Sequence, residues 1–151
     1  MTHLLPMAAE HIPDVIALGR TMHAESLYRV YPYDEDQAER VCTLCCQNDG
    51  FGVVAADGQE LEGMFLGLLG KPNYCDAVIA MEMIFFMLPE YRRGLAGPRM
   101  LFAFEKWAKI KNAVEINLGV HAGIMNDKIC EFYERRGYTL RNRIYVHSLH
   151  A

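Results

Sequence analysis

Most of the chemistry-bearing residues in this chain cluster between Val78 and Trp107. Val78–Leu88 is an apolar run interrupted by one charge, Glu82. A carboxylate inside such a run is costly unless it is paired or used, so Glu82 is a candidate for proton chemistry. The plainer reading is a salt-bridged or solvent-facing residue on a sheet edge. Pro89 ends the run, and Arg92-Arg93-Gly94-Leu95-Ala96-Gly97-Pro98 follows. Proline is favoured in the first turn of a helix, so the spacing predicts a helix starting at Gly97 or Pro98. Unpaired backbone N–H groups would lie there beside two arginines, which suits an anion, above all phosphate. The plainer alternative is a strand-to-helix turn with surface arginines. No Gly-Lys-Ser/Thr follows, which argues against a Walker-type nucleotide loop.

The five cysteines, at positions 42, 45, 46, 75 and 130, are an odd number and read as free thiols. Cys42-x-x-Cys45-Cys46 hints at a metal site, but no second pair or histidine partner stands at zinc spacing. A buried helix face is expected there, and no metal.

Positioning these residues requires a particular order of elements. Thr2–Leu5 is a short edge strand. Ile12, Val15, Ile16, Leu18 and Met22 have helical spacing within Ala8–Met22, with Pro13 tolerated in the first turn. Ser26–Asp36, with Tyr28, Tyr31 and Tyr33, reads as a loop or broken helix whose tyrosines either pack on the core or line a substrate pocket. Glu35–Gln47 is a second helix with Ala38, Val41, Cys42, Leu44 and Cys45 inward. Phe51–Ala56 and Leu61–Leu69 pair around Asp57-Gly58 as a hairpin. In the helix after the arginine loop, Met100, Leu101, Phe104 and Trp107 face a sheet, while Arg99, Glu105, Lys106 and Lys109 face solvent. Val114–Val120 is a further strand, so strand, helix and strand form a βαβ unit. Asn126 can cap a last helix that ends at Arg135-Arg136-Gly137. Arg143–Leu149 reads as a final strand. The expectation is one α+β domain over residues 1–151 with a mixed sheet.

Composition sets outer limits. Of the 151 residues 52% are hydrophobic and 23% charged, so the chain can bury a core. A net charge of −4 argues against a broad nucleic-acid surface. No apolar run is long enough to cross a bilayer and no signal segment is evident, so a cytoplasmic protein without membrane or nucleic-acid partners is expected.

Taken together, the elements and motifs resemble the GNAT acetyltransferase superfamily, including its phage-like members. The chain has Pro89-Glu90-Tyr91-Arg92, the arginine loop, Asn126, and Phe132-Tyr133-Glu134-Arg135-Arg136-Gly137-Tyr138 in the family's order along nearly the whole sequence. With Arg92 in the Gln/Arg place of the family loop, Gly97 fills the last place and Leu95 stands where the first glycine belongs. The resemblance implies a mixed sheet of about six to seven strands flanked by about four helices. It also implies acetyl-CoA as cosubstrate. The pyrophosphate would rest on the N–H groups of Arg93, Gly94, Leu95, Ala96 and Gly97, with the Arg92 and Arg93 side chains assisting. The pantetheine arm would pair with Phe85–Leu88, and so with Phe86, Met87 and Leu88, where two strands splay.

Catalytic roles are likewise implied by the resemblance. Tyr133 matches the family tyrosine that protonates the departing thiolate, its alternative being a packing residue. Asn126 would hold the cofactor arm, cap the helix, or both. Glu82 is the first candidate base and His121 the second. The reaction implied is direct transfer to a small-molecule or peptide amine. A non-catalytic CoA-binding module with a regulatory or scaffolding role is the alternative, and a homodimer is left open.

Overall fold

A computed structural model describes residues 1–120 and 122–149. Five strands form one open sheet in chain order: β1 (His3–Pro6), β2 (Gly50–Asp57), β3 (Glu60–Gly70), β4 (Ile79–Met87) and β5 (Glu115–Asn117). The first four run antiparallel, and β4 and β5 are parallel. Helices α1 (Ile12–Glu25) and α2 (Glu35–Cys45) pack on one face. Helices α3 (Ala96–Ile110) and α4 (Asn126–Arg135) pack on the other. The expected α+β class and the βαβ unit are therefore present.

Each helix forms where its apolar spacing demands a buried stripe. On α3, Met100, Leu101, Phe104 and Ala108 are buried, and the Phe104 ring lies 4.7 Å from that of Phe65 on β3. On α2, Cys42 and Cys45 are buried as expected, whereas Leu44 is exposed. Burial pushes these two thiols up, to about 11 and about 12, so they are inert packing groups rather than nucleophiles. Pro13 lies in the first turn of α1, where its missing N–H costs nothing. Gly58 turns the β2–β3 hairpin at φ 62°, a backbone region costly for other residues.

Four expectations need correction. The sheet has five strands among the described residues, not six to seven. Residues 139–149 form no strand, and Ile144 and Tyr145 are 71% and 89% exposed. The sequence there is strand-like, but β5 is only three residues long and offers little ladder to extend. Helix α3 begins at Ala96, one residue before the glycine, because Leu95 already has helical backbone angles. Asn126 is the first residue of α4 rather than its cap. Met125 precedes it at φ 51°, and no side chain caps that end.

Two register shifts shape the sheet. Between β3 and β4, Leu66 faces Ile84 and Gly67 faces Glu82, so Met83 is an extra residue. Between β2 and β3, Ala55 faces Gly63 and Ala56 faces Leu61, so Glu62 is an extra residue. Such bulges bend a strand and increase its twist.

Candidate active site

The bulge at Met83 coincides with the end of β4–β5 pairing. The two strands are in register only at Ile79–Glu115, Ala80–Ile116 and Met81–Asn117. From Glu82 onward β4 has a strand neighbour on the β3 side alone. This leaves a slot whose wall is the outer edge of Glu82–Met87. Its free backbone groups suit an extended, hydrogen-bonding arm. Phe86 and Met87 lie on that edge and Leu88 just past its end.

Glu82 stands where the slot opens. Its Oε2 accepts the backbone N–H of Gly119 at 2.7 Å. Burial raises its carboxyl from 4.5 to about 7, and the Gly119 hydrogen bond opposes that rise. A carboxyl poised there exchanges protons readily near neutrality. Tyr133 projects from α4 and is 7% exposed. Its phenol is raised well above the ordinary value, first by burial and next by the charge of Glu82. The charge of Glu82 is therefore felt at the Tyr133 phenol. Among the described residues the Tyr133 hydroxyl makes no hydrogen bond, yet no fully buried side-chain polar atom lacks a partner. The hydroxyl accordingly reaches accessible space.

The C-terminal end of α4 is stapled to α3. Arg136 donates to both oxygens of Glu105, at 3.2 and 2.5 Å, and the Tyr138 hydroxyl donates to Glu105 at 3.0 Å. Glu105, expected to face solvent, is thus the anchor that orients the tyrosine helix. Gly137 closes α4 at φ 91°, as its position predicted.

At the other end of the slot, the N–H groups of Arg93, Leu95, Ala96 and Gly97 donate to nothing among the described residues. The N–H of Gly94 is already bonded to the Tyr91 carbonyl at 3.1 Å. Four free donors at the start of a fifteen-residue helix can cradle an anion. Arg93 is exposed beside them. The Arg92 side chain, only 14% exposed, is committed elsewhere. Its Nε donates to the Met87 carbonyl at 2.9 Å, and its terminal nitrogens grip both Glu25 oxygens at 2.7 and 2.5 Å. The arginine thus ties the last turn of α1 to the end of β4. The role left for it at the donor site is to hold the loop in shape.

The chain after α1 docks on the far lip of the slot. A 3-10 turn at Leu27–Val30 follows, and the N–H of Leu27 donates to the Ala122 carbonyl at 2.8 Å. Gly123 allows this approach, since a Cβ there would lie 2.3 Å from the Leu27 side chain. Tyr28 and Tyr31 are half-exposed, and Tyr33 is pinned by its hydroxyl to the Ile16 carbonyl at 2.8 Å. Asn126 is exposed at the start of α4. His121 lies outside the described residues. Among those described, no cluster of His, Cys, Asp or Glu could hold a metal, and no helix is long and apolar enough to cross a membrane.

Sequence reasoning missed Glu25, Glu105, Gly119 and the Met83 bulge. Glu25 and Arg92 are 67 residues apart, and Glu82 and Gly119 are 37 apart. Pairings at such separations leave no local pattern. Gly123 was the one visible hint, a glycine in a loop next to the final helix.

No protein-family model and no curated protein matches the chain. Solved structures do. A proposed acetyl transferase of Pyrococcus furiosus is 21% identical with a TM-score of 0.75, over 99% of this chain and 100% of that one. The aminoglycoside N-acetyltransferase AAC(6')-Iy, solved with CoA, is 15% identical with a TM-score of 0.75, over 100% and 96%. The ribosomal-protein-alanine N-acetyltransferase of Brucella melitensis is 11% identical with a TM-score of 0.73, over 98% and 99%. At such identities the likeness establishes the fold alone, the one shared by these solved acetyltransferases.

Proposed function

We propose that this chain is an acyltransferase that moves an acetyl group from acetyl-CoA to an amine by direct attack. The observation that carries this reading is the buried carboxyl of Glu82 standing where β5 stops pairing with β4, with its charge felt at the buried phenol of Tyr133. The free N–H groups of Arg93, Leu95, Ala96 and Gly97 would hold the pyrophosphate. The edge of Phe86, Met87 and Leu88 would pair with the pantetheine arm. Asn126, exposed at the head of α4, would steady that arm.

In the proposed step Glu82 takes a proton from the acceptor ammonium, directly or through a water. The neutral nitrogen then bonds to the thioester carbonyl carbon, and the carbon–sulfur bond breaks. Tyr133 gives its proton to the departing sulfur and is reprotonated, directly or through a water, by the second proton that the acylated nitrogen sheds. Glu82 releases the proton it took to solvent, so the products are the amide, the free thiol and one proton. The causes of the tyrosine's raised pKa bear on the order of events. The Glu82 charge is the second of them. Once Glu82 is protonated that cause disappears, so Tyr133 becomes a better acid after the base has acted. His121 remains the other candidate base.

The test combines two measurements. Acetyl-CoA should raise the melting temperature, which reports binding. Thiol release from acetyl-CoA over a panel of primary amines should then report transfer. Binding without release for any amine would favour the non-catalytic CoA-binding module. An acetyl-enzyme detected by mass spectrometry would rule out direct attack.

A further inference from the structure

Beneath α1 and α2, on the sheet face opposite Tyr133, lies a cavity of about 320 Å³. That is the lower end of the range for small-molecule sites. Its floor is Val15, Met64 and Ile84, and its rim carries the rings of His23, Tyr28, Tyr31 and Tyr33. Of the six polar side chains that line it among the described residues, Tyr33, Asp34 and Gln37 are committed, and His23, Tyr28 and Tyr31 each offer one polar tip on an otherwise apolar ring. The Tyr33 hydroxyl is bonded to Ile16, and Asp34 Oδ1 accepts the Gln37 N–H at 3.0 Å to cap α2. Arg20 lies over the Tyr33 ring and pairs outward with Glu35. A polyhydroxylated ligand would find few free partners here, and each unpaired hydroxyl would cost free energy. An aromatic or branched apolar group would find ring edges and aliphatic carbon.

The cavity also adjoins the strand that carries Glu82. Ile84 is two residues along β4 from Glu82, about 7 Å of strand at the usual rise. The Met83 bulge between them turns Ile84 to the cavity face while Glu82 stays on the Tyr133 face, so an acceptor would pass over the unpaired edge of β4. Beyond Met81 β4 has no β5 partner, so the floor of the cavity and the slot share one exposed strand edge.

On the acetyl-transfer reading, on which this inference rests, we infer that the cavity takes the apolar part of the acceptor. The acceptor class is then a primary amine joined to an aryl or similar apolar group by a short chain spanning about 7 Å. The ring seats against Ile84 and the tyrosines while the amine reaches Glu82.

The experiment compares 3-phenylpropylamine, an aminoglycoside and a lysine-containing peptide as acceptors for acetyl-CoA. The expected result is a kcat/KM for the arylalkylamine at least about tenfold above either other acceptor, the scale of one or two buried methylene groups. Val41→Trp fills the cavity from α2 and should raise the arylalkylamine KM at least about tenfold with the acetyl-CoA KM unchanged. Tyr31→Ala, at the half-exposed rim, removes a ring without threatening the fold and should raise the same KM by a smaller factor. Preference for the aminoglycoside or peptide, or an arylalkylamine KM indifferent to both substitutions, would overturn the inference. Calorimetric binding of 3-phenylpropylamine separates the two levels of the argument. Binding that Val41→Trp abolishes supports the cavity even if no amine is acetylated, in which case the transfer reading alone falls. No binding overturns the cavity assignment itself.

Discussion

Two glutamates of this protein occupy similar sequence surroundings and opposite structural ones. Glu62 and Glu82 are carboxylates in mostly apolar strands, Glu82 the only charge of β4 and Glu62 sharing β3 with Glu60, and each lies at a register shift in the sheet. Glu62 is itself the extra residue, 4% exposed. It accepts the Thr2 hydroxyl at 2.6 Å, and its backbone carbonyl accepts the N–H of Leu88 at 2.9 Å. It is sealed between strands. Glu82 adjoins its bulge, receives one backbone N–H, and borders a slot that β5 leaves open. The difference teaches that a charge in an apolar run signals function only when the fold leaves one side of it unfilled. Both runs are mostly apolar, so composition alone does not separate the two cases.

The comparison breaks most visibly in turnover. Glu82→Gln keeps an acceptor for the Gly119 N–H but removes the base, and should lower kcat/KM by about 10³-fold, within the range for general acid–base residues. In the unsubstituted enzyme kcat/KM should rise with pH through about 7 and level off above, because Glu82 must be ionised to accept a proton. The variant should lose that limb. A pH profile unchanged by the substitution would transfer the role to another group, with His121 first in line. Tyr133→Phe keeps the packing against Phe132 and Tyr138 and removes only the hydroxyl. It should lower kcat by about 10²-fold with little change in acetyl-CoA affinity. Unaltered turnover would leave Tyr133 a packing residue.

How much of this was legible in advance follows from the range of the interactions. Helices α1 to α4 and strands β1 to β4 were visible because their apolar periodicity is local. The helix start with its free N–H groups was also visible locally, in Gly94 before α3 and Gly97-Pro98 in its first turn. The final strand misled because Arg143–Leu149 has strand propensity, while a strand also needs a partner edge that β5 is too short to give. The parting of β4 from β5 was expected only through the family resemblance, since nothing local in the sequence marks Met83 as one residue too many in the pairing with β3. Arg92 and Arg93 looked equivalent on paper. Only Glu25, 67 residues away, separates the buried clasp from the exposed cation.

Stability gives the sharpest contrast, because the two glutamates should respond with opposite signs. The carboxyl of Glu82 sits at about 7 in the folded protein against 4.5 ordinarily, so folding favours its neutral form. Its contribution is fully present below about 4.5 and is lost as pH rises through about 7. Above that window the ionised group costs about 3 kcal/mol at ~1.4 kcal/mol per pH unit. Glu82→Gln should therefore melt several degrees higher than the unsubstituted protein at pH 8 and show no gain at pH 4. Glu62→Ala removes the acceptor of the Thr2 hydroxyl and leaves a gap between strands. It should cost about 1–2 kcal/mol, lower the melting temperature by about 3–6 °C, and leave kcat within about twofold. Thermal melts at the two pH values, run beside the thiol-release assay, read both signs at once. If Glu62→Ala abolished turnover in a folded protein, or Glu82→Gln melted lower at pH 8, the two carboxylates would not divide into a structural and a catalytic one.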